Sequence, residues 1–511
     1  MVDTTLGLML PVVSVAEMKS LDAEALRSVG EDVLVEKAGT AVAQAALAML
    51  HGGYGRRVLV VAGKGNNGAD GRVAARLLAR RGALVEVIDP AGGKLVRADR
   101  RSGGVPGEGE RGAALLWPVA DLVIDAAFGT GFKGTYDPPG VPPGVPVLAV
   151  DIPSGVQGDS GEAAGSPLAA ERTVSMAALK PGLLQWDGRR LSGTVEVVDI
   201  GIDARGVATT WLVEDSDVVV SLRAKAVDAH KWETAVAIVG GSPGMAGAAL
   251  LAARGASRAG AGMVRLLVPE GAIEALPPGE AVVRGLPAEG LHSSVEKESR
   301  RCKVLVAGPG LGRSSAAVDG VRGIVASMRM PLVIDADGLY ALGDGDEAAR
   351  VLRSRPSDFP PVVLTPHDGE ATRLAGRAPG KDRLAAAADL ASRLGAIVLL
   401  KGATTVVASP PAGVESGEGP GSAPALRYVV TSGSPRLATA GSGDVLSGVI
   451  GAFIARDVPP ALAAALSAHV HGRAASLGRA EGMISFDLPD LVSAWLSAAG
   501  CGALEGAGIA C

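Results

Sequence analysis

Cysteine is scarce in this 511-residue chain. Its three cysteines, Cys302, Cys501 and Cys511, lie far apart and form no C-x-x-C pair. This spacing indicates neither a disulfide framework nor a zinc site. The simplest interpretation of Cys302 is a small, buried apolar residue.

Long apolar runs and basic blocks are also missing. No stretch approaches the roughly 18 apolar residues of a membrane span, and the segment MVDTTLGLMLPVVS has an early acid and no basic region. The 49 Lys and Arg residues balance 54 Asp and Glu residues, for a formal net charge of -5 without a basic stripe. We therefore expect a cytoplasmic protein with small-molecule ligands and neither a nucleic-acid nor a membrane partner. We also expect a homo-oligomer.

Aromatic residues are few, at 5 Trp, 4 Tyr and 5 Phe against 72 Gly. Such a composition indicates an aliphatic, Ala-rich core with many tight turns. Because single cores rarely grow beyond about 250–300 residues, the length predicts at least two domains. The two halves share no motif that would indicate an internal repeat.

Hydrophobic periodicity predicts two successive α/β series. Residues 14–50 are expected to be helical, and helices such as 70–81 then alternate with strands at 57–62, 84–88, 121–126 and 146–151. The second series has predicted strands at 235–239, 263–268, 303–307, 331–335, 361–365 and 396–400. Alternation of this kind is typical of parallel sheets, so the predicted fold class is α/β with two domains, 1–220 and 221–511. Two segments, 92–112 and Ser409 to Ala425, have the composition of exposed loops.

The stretch AGKGNNGADG, at 62–71, contains the G-x-G-x-x-G spacing of a dinucleotide-binding loop. In such loops a helix N-terminus binds pyrophosphate and an acid about 20 residues later binds ribose, and Asp89 stands near that position. Against this interpretation, we expect Asp70 in the first turn of the helix, where a carboxylate would repel an anion. Asn66, Asn67 and Asp70 instead offer ligands for a cation or a polar substrate.

Acids also end two neighbouring predicted strands. Asp125 ends VIDA before the loop FGTGFKGT (128–135), and Asp151 ends VLAVD before IPSG (152–155). Open α/β sheets bind ligands at the carboxyl ends of their strands. Each acid alone could instead cap a helix or a turn, but three polar loops at three strand ends favour a binding site.

The segments GKGNNGADGRVAARLL, DAAFGTGFKG and VLAVDIPSGVQGDSG together resemble the YjeF N-terminal domain, the NAD(P)H-hydrate epimerases, over about residues 14–215. The family usually has Gly where this chain has Ala69. The resemblance implies a Rossmann-like three-layer α/β/α domain, with Asp151 as the acid/base residue and a potassium ion (K⁺) held by Asn67, Asp125 and Ser154. It implies substrate contacts from Asn66, Asn67, Gly68, Ala69, Asp70, Gly129, Thr130, Gly131, Phe132, Lys133, Gly134, Thr135 and Asp151.

A second group of motifs lies in the C-terminal half. The run TAGSGDVLSG (439–448) precedes an apolar helix predicted over 445–455. Such a helix N-terminus can bind an anion, and Asp444 could take a proton from a substrate hydroxyl, although a helix cap is the plainer interpretation. Further polar or Gly-rich loops follow the predicted strands as GGSPGMAGAALLAA (240–253), GPGLG (308–312), TPHDGE (365–370) and KGATT (401–405). The chain has no G-x-x-x-x-G-K-[ST], which excludes a P-loop.

In this order, and with DADGL, these motifs resemble the ribokinase-like superfamily and within it the ADP- or ATP-dependent NAD(P)H-hydrate dehydratases, over about 225–498. Two departures are His230-Lys231-Trp232 for His-Lys-Gly and Ser434-Pro435-Arg436-Leu437 for Asn-Pro-Gly-Met. The resemblance implies Asp444 as catalytic base and a magnesium ion (Mg²⁺) accompanying ADP or ATP. It implies nucleotide contacts from Lys401, Gly402, Ala403, Thr404, Thr405 and Gly443, and substrate contacts from Ala248, Gly312, His367 and Asp444.

The two resemblances together imply a bifunctional repair enzyme for hydrated NADH and NADPH. The first domain would interconvert the R and S epimers. The second would dehydrate the S epimer at the expense of ADP or ATP, releasing AMP or ADP and phosphate. The alternatives are a ribokinase-like small-molecule kinase fused to a non-catalytic dinucleotide-binding module and, less favoured, a dehydrogenase.

Overall fold

The computed structural model describes residues 9–90, 95–97, 119–139, 144–287, 289–411 and 425–501. These residues form two compact units that divide between Thr209 and Thr210. Most of the predicted loops 92–112 and Ser409 to Ala425, and Cys511, lie outside the described residues. Both units are mixed α/β structures, which confirms the predicted fold class.

The N-terminal unit, Leu10–Thr209, is built on one largely parallel sheet. Its helices are α1 (Val15–Ser28), α2 (Glu31–Met49), α3 (Asn66–Arg80) and α4 (Trp186–Leu191), with a 3-10 turn at Pro181–Leu184. Its strands are β1 (Leu10–Val12), β2 (Arg57–Ala62), β3 (Leu84–Ile88), β4 (Leu95–Arg97), β5 (Leu122–Ala126), β6 (Val147–Val150), β7 (Arg172–Met176) and β8 (Thr194–Val198). The strand order is β4-β3-β2-β5-β6-β7-β8, and only the β3–β4 pair among these is antiparallel.

Apolar residues cover both faces of this sheet. On one face Val58, Val60 and Ile124 pack with residues of α1, α2 and α3. On the other face Leu59, Val61 and other buried residues pack against Phe128, Phe132 and Tyr136. Burial on both faces explains why β2 and β5 are almost continuously apolar in the sequence. Because both faces are buried, polar side chains are accommodated at the carboxyl ends of the strands.

The C-terminal unit begins at Thr210, about ten residues before the predicted boundary. Its strands are β9 (Thr210–Leu212), β10 (Ala235–Val239), β11 (Met263–Pro269), β12 (Val282–Leu286), β13 (Val304–Ala307), β14 (Leu332–Ile334), β15 (Val362–Leu364), β16 (Ile397–Leu400), β17 (Thr405–Ala408) and β18 (Arg427–Val430). The earlier boundary follows from β9, which pairs with β18 in register Tyr428 to Trp211. A three-residue strand carries no periodicity that sequence patterns could detect.

Helices surround this second sheet. They are α5 (Asp215–Ser221), α6 (Ala246–Arg258), α7 (Leu291–Ser299), α8 (Ser315–Ser327), α9 (Asp337–Ala341), α10 (Gly345–Arg353), α11 (Asp368–Ala375), α12 (Arg383–Leu394), α13 (Ser442–Ala455), α14 (Pro460–Leu477) and α15 (Leu488–Ala498). The sheet order is β9-β18-β17-β16-β15-β14-β13-β10-β11-β12, parallel except at β16–β17 and β17–β18. Within the described ranges, no helix is long and apolar enough to cross a membrane.

Helices α6 and α13 approach each other closely through glycines. A Cβ built on Gly448 would lie 1.9 Å from the carbonyl oxygen of Ala252, and one on Gly255 would lie 2.5 Å from that of Val445. Both contacts are with backbone atoms, which cannot swing aside as a side chain can. Close packing here places the N-terminus of α13, with its GSGD motif, beside α6.

We expect Gly448→Ala to destabilise the protein by about 1–3 kcal/mol, because α6 and α13 must separate to admit the methyl group. Gly247→Ala is the matched control, since a Cβ at Gly247 in α6 meets no atom within 4 Å. That control should be neutral or slightly stabilising. Calorimetric unfolding of the two full-length variants makes the comparison, and a Gly448→Ala protein as stable as the control would contradict the packing described.

Candidate active sites of the two units

A cavity of about 1030 Å³ opens at the carboxyl ends of the strands in the N-terminal unit. The FGTGFKGT loop contributes much of its wall, together with the loop after β2. Gly68, Ala69 and Gly134 are not among its lining residues. The predicted substrate contacts that line it are Asn66, Asn67, Asp70, Gly129, Thr130, Gly131, Phe132, Lys133, Thr135 and Asp151.

The structure corrects one step of the sequence argument about the GKGNNGADG loop. Helix α3 already begins at Asn66, four residues before its predicted start, so Asp70 lies in the second turn. The start was misplaced because Gly65, the N-cap, and the two asparagines do not carry the apolar period of a helix. Asp70 therefore does not block the first N–H groups of α3, and the objection to an anion at that terminus was wrong.

Two glycines of the same loop allow backbones to touch. A Cβ on Gly63 would lie 2.0 Å from the carbonyl oxygen of Ala127, and one on Gly68 would lie 1.9 Å from that of Gly63. Contact between α3 and the ends of β2 and β5 thus requires the first and third glycines of the spacing that resembles a dinucleotide loop, whereas a Cβ on Gly65 would meet no atom within 4 Å. Ala69 lies within α3, where alanine favours the helix more than glycine does.

Asp151 follows β6 in a strained conformation and is held by a buried lysine. Its φ is 66°, in the left-handed region that residues other than glycine seldom adopt, although aspartate and asparagine do so more often than most. Its carboxylate accepts hydrogen bonds from Met176 N, at 3.1 Å, and from the ammonium group of Lys180. Lys180 is fully buried and also donates to Ser175 Oγ and Met176 O, at 3.2 and 2.8 Å. Strain of this kind is common at functional sites.

Sequence reasoning missed Lys180. It lies 29 residues after Asp151 in a stretch, AALKPG, that has no catalytic motif. Only the pairing of β6 with β7 brings the two residues together. Complete burial of a lysine indicates a functional or structural role, but this burial is visible only in the folded structure and not in the local sequence.

Asp70 has a different environment within the same cavity. The residue is 5% exposed, and its side chain makes no hydrogen bond with another described residue. Burial and, to a smaller extent, the negative charges of Asp151 and Asp22 together raise the pKa of Asp70 to about 8. Near neutral pH this carboxyl group is mostly protonated, while Asp151 lies against an ammonium group.

Asp125 is the third buried acid of this unit and is fully inaccessible. Its carboxylate accepts from Ser154 Oγ at 2.6 Å and from Ser154 N at 2.9 Å. Burial raises the pKa of Asp125, while these hydrogen bonds oppose the shift. Among the described residues, no basic side chain forms an ion pair with it.

The predicted potassium ligands do lie together. Ser154 Oγ contacts Asp125, and Phe128 links Ser154 to Asn67 because its backbone N donates to Ser154 Oγ at 2.9 Å and its carbonyl accepts from Asn67 Nδ2 at 3.2 Å. A buried carboxylate without a basic partner, beside hydroxyl and amide oxygens, suits a monovalent cation with hard oxygen ligands. No group of three or more His, Cys, Asp or Glu side chains in the described ranges is arranged to hold a metal ion. A single carboxylate with neutral oxygens is compatible with that result.

In the C-terminal unit the predicted loops meet at the carboxyl ends of the parallel strands. Gly241 N donates to Pro309 O at 2.8 Å, which joins the GGSPGMAGA loop to GPGLG. Gly312 N donates to Asp337 Oδ2 at 3.0 Å, which joins GPGLG to DADGL. A Cβ on Gly310 would lie 3.0 Å from the Cβ of Ala248, so Ala248 and Gly312 belong to one wall of this site.

Lys401 lies at the centre of a group of carboxylates. Its Nζ lies 2.9 Å from Asp335 Oδ1 and 3.8 Å from Glu370 Oε2. Burial lowers the pKa of Lys401, but the charges of Asp335, Glu370 and Asp444 outweigh burial and raise it. Lys401 is therefore a fixed ammonium group at this site.

Asp444 faces the same ammonium group from the first turn of α13. Burial and the charge of Asp335, opposed by the charge of Lys401, together raise the pKa of Asp444 to about 7. The N-cap of α13 is Gly441, at φ 89°, and a Cβ on Gly443 would lie 3.3 Å from Lys401 Nζ. A carboxyl group poised near neutrality thus lies beside a helix N-terminus and a lysine, a combination suited to removing a proton next to an anion.

His367 has an identifiable orientation. It is the N-cap of α11, and its Nδ1 accepts from Gly369 N and Glu370 N at 3.0 and 3.3 Å. The cap requires an unprotonated Nδ1, so the neutral ring carries its proton on Nε2. His367 is largely exposed and presents an oriented donor.

The KGATT loop rests on a buried arginine that sequence reasoning also missed. Arg383, at the start of α12, is 5% exposed. Its guanidinium donates to Lys401 O at 2.8 Å and to Thr404 O at 3.1 Å, and pairs with Asp368 at 2.9 Å. Through these hydrogen bonds, Arg383 holds the backbone of residues 401–404 in position. Gly402 needs to be glycine because a Cβ there would lie 2.6 Å from this guanidinium.

Two departures from the expected motifs have local structural roles. Trp232 stacks under the guanidinium of Arg301, whose Cζ lies 3.9 Å from the ring centroid. Arg436 donates to Ser476 O at 2.7 Å and to Ala475 O at 3.1 Å, which satisfies carbonyls in the last turn of α14.

Comparison with known proteins gives a consistent result for both units. A family model described as NAD(P)H-hydrate dehydratase matches residues 236–496, and one described as YjeF-related protein N-terminus matches residues 31–182. The chain is 38% identical over 506 residues to the bifunctional NAD(P)H-hydrate repair enzyme Nnr of Moorella thermoacetica, covering 91% of each chain. It is 32% identical over 465 residues to the Nnr enzyme of Escherichia coli, covering 85% of this chain and 84% of that one. A solved structure of the Bacillus subtilis ADP/ATP-dependent NAD(P)H-hydrate dehydratase, co-crystallised with ATP and Mg²⁺, is 25% identical, covers 56% of this chain and 97% of that one, and superposes with a TM-score of 0.46.

The Asp151–Lys180 pair generates a stability prediction. Lys180→Met leaves the carboxylate buried without its partner, so we expect the free energy of unfolding to fall by about 3–5 kcal/mol. Adding Asp151→Asn to the same protein removes the unpaired charge and should recover part of that loss; asparagine also tolerates a positive φ. Urea unfolding of the two variants and the wild type tests this. A Lys180→Met protein as stable as the wild type would mean that the pair contributes nothing.

Proposed function

Because this chain belongs to the family of bifunctional NAD(P)H-hydrate repair enzymes, we infer that its two units catalyse consecutive steps of nicotinamide nucleotide repair. The N-terminal unit is an NAD(P)H-hydrate epimerase, which interconverts the R and S forms of hydrated NADH and NADPH. The C-terminal unit is an ADP- or ATP-dependent dehydratase, which acts on the S form. The observation that carries this assignment is that both sets of motifs meet at the carboxyl ends of parallel strands, the first around the buried Asp151 and the second around the buried Asp335 and the half-buried Asp444.

In the N-terminal unit, Asp151 is the proposed acid/base residue of epimerisation. Lys180 and Met176 N hold one carboxylate oxygen, so the group is fixed in position at the cavity wall. The cavity of about 1030 Å³ is at the upper end of the range for small-molecule sites, as a dinucleotide requires. The N-terminus of α3 lines it and could receive a dinucleotide phosphate.

A potassium ion would be held by Asn67, Asp125 and Ser154. The charge it supplies would balance Asp125, whose burial otherwise disfavours the ionised form. Through Phe128 these residues connect to the FGTGFKGT loop that walls the cavity. The ion would therefore order the loop that binds the dinucleotide.

In the C-terminal unit, phosphorylation converts a poor leaving group into a good one. Asp444 accepts the proton of the substrate hydroxyl while the hydroxyl oxygen attacks the terminal phosphorus of the nucleotide. The C–O bond to phosphate then breaks with help from the ring nitrogen lone pair, and a proton leaves the neighbouring carbon to give NADH or NADPH. The products are phosphate and AMP from ADP, or ADP from ATP.

Two features near Asp444 suit this transfer. The N–H groups at the start of α13 and the ammonium group of Lys401 can stabilise the migrating phosphoryl group. The KGATT loop and Gly443 are the proposed nucleotide contacts. Ala248, Gly312 and His367 are the proposed contacts to the hydrated dinucleotide. Mg²⁺ usually takes most of its ligands from substrate phosphates and water, so it would enter with the nucleotide.

Assembly as a homo-oligomer stays a prediction.

The direct test of the dehydratase role is Asp444→Asn. With the S hydrate of NADH and ADP or ATP, we expect kcat for recovery of dihydronicotinamide absorbance to fall by about 10²–10⁴-fold, because the base is lost. Nucleotide consumption should fall in parallel. Accumulation of a stable phosphorylated product by the wild type, without NADH, would instead indicate a small-molecule kinase.

The raised pKa of Asp444 predicts a pH dependence. A base must be deprotonated to act, so kcat of dehydration should rise as the pH increases through about 7 and then level off. Asp335→Asn removes a charge that raises this pKa, so the midpoint should move to lower pH. A midpoint unchanged in Asp335→Asn would mean that Asp444 does not set the profile.

A further inference from the structure

We propose that Asp70 is the general acid of the epimerase unit, acting on the substrate opposite to Asp151 as general base. The proposal rests on the function inferred above and assigns Asp70 a role beyond substrate binding. It makes the N-terminal site a two-carboxyl site in which the two groups have unequal environments.

Asp70 faces the cavity of the N-terminal unit. The residue is 5% exposed, and it lines the cavity that Asp151 also lines. It forms no hydrogen bond or ion pair with another described residue. A buried carboxyl group without a protein partner is costly unless a ligand or a proton satisfies it.

The charged surroundings of the two acids differ in sign. Asp151 lies against the buried ammonium group of Lys180 and accepts a hydrogen bond from Met176 N. Asp70 experiences the negative charges of Asp151 and of Asp22 from α1, and burial raises its pKa to about 8. Apart from Lys180 and these acids, the charged groups that line the cavity are Lys19, Glu31, Lys64, Asp89 and Lys133. Pairs of acids driven apart in this way commonly divide into a proton donor and a proton acceptor.

Epimerisation of the hydrate needs one donor and one acceptor. The hydroxyl-bearing carbon is also bonded to the ring nitrogen, so it is a hemiaminal carbon. Asp151 takes the hydroxyl proton, the C–O bond becomes C=O, and the C–N bond breaks while Asp70 protonates the nitrogen. Rotation about the bond between the carbonyl carbon and the adjacent carbon of the opened ring exposes the other face of the carbonyl to the nitrogen. Attack of the nitrogen on that face, by the reverse of the same proton transfers, gives the opposite epimer. Proton gain and loss balance, and no oxidant or nucleotide is used.

The test follows conversion of the pure R hydrate of NADH to the S hydrate, without nucleotide, by the full-length protein. The spontaneous rate is subtracted at each pH. Because Asp70 must be protonated, wild-type kcat should decline as the pH rises above about 8. Asp70→Asn should lower kcat by about 10²-fold or more, with a KM within a few-fold of wild type, and should lack this decline.

Asp22→Asn provides an independent variant. It removes a negative charge that raises the pKa of Asp70, so the pH at which kcat declines should move to a lower value. Thermal unfolding of Asp70→Asn with the same transitions as the wild type establishes that its N-terminal unit is folded.

The results distinguish a failure of the proposed epimerase function from a failure of the proposed role of Asp70. A wild-type protein that does not interconvert the epimers refutes the proposed epimerase function. An active wild type together with an Asp70→Asn protein of unchanged kcat and pH profile overturns the role of Asp70 alone. A raised KM with unchanged kcat in Asp70→Asn likewise overturns it, because that result describes a binding residue only.

Discussion

Both units bury carboxyl groups at the carboxyl ends of parallel strands, where the sheet itself offers few partners for negative charge. Each carboxyl group is compensated in a different way. Asp151 has a buried lysine, Asp125 has a serine and an arrangement suited to a cation, and Asp444 faces Lys401 across the start of α13. Asp70 has none of these and retains a proton instead. The mode of compensation determines the chemistry that each group can perform.

The glycine-rich loops belong to the same constraint. Within each unit, the loops that carry the acids must pass within contact distance of one another for the acids to lie in one site. Gly63, Gly68 and Gly402 each stand where a Cβ would meet a backbone atom or a buried guanidinium. The high glycine content of the chain therefore reflects, at these positions, the convergence of strand ends on a site. The close packing of α6 on α13 has the same basis and places GSGD beside the loop after β10.

Much of the fold could be predicted because its central strands are buried on both faces and therefore appear as short apolar runs, as in RVLVVA and AVAIV. The motifs that follow those strands predicted that Asp151 and the KGATT loop lie at strand ends, and the structure has them directly after β6 and β16. What could not be predicted depends on distant pairing. Lys180 and Arg383 acquire their roles only when β7 lies beside β6 and α12 packs under the loop after β16. The start of α3 was misplaced because caps made of glycine and asparagine lack hydrophobic periodicity, and this misplaced Asp70 by one turn.

The central claim is that one chain catalyses both epimerisation and dehydration of the hydrate. The most direct test is to give the protein the pure R hydrate of NADH as its only hydrate. The full-length protein is given the R epimer with ADP or ATP, and the absorbance of the restored dihydronicotinamide is followed together with nucleotide consumption. The account predicts complete recovery of NADH, faster than spontaneous epimerisation allows, with one nucleotide consumed for each NADH formed. Recovery limited to the spontaneous rate, with the S epimer alone converted rapidly, would contradict it.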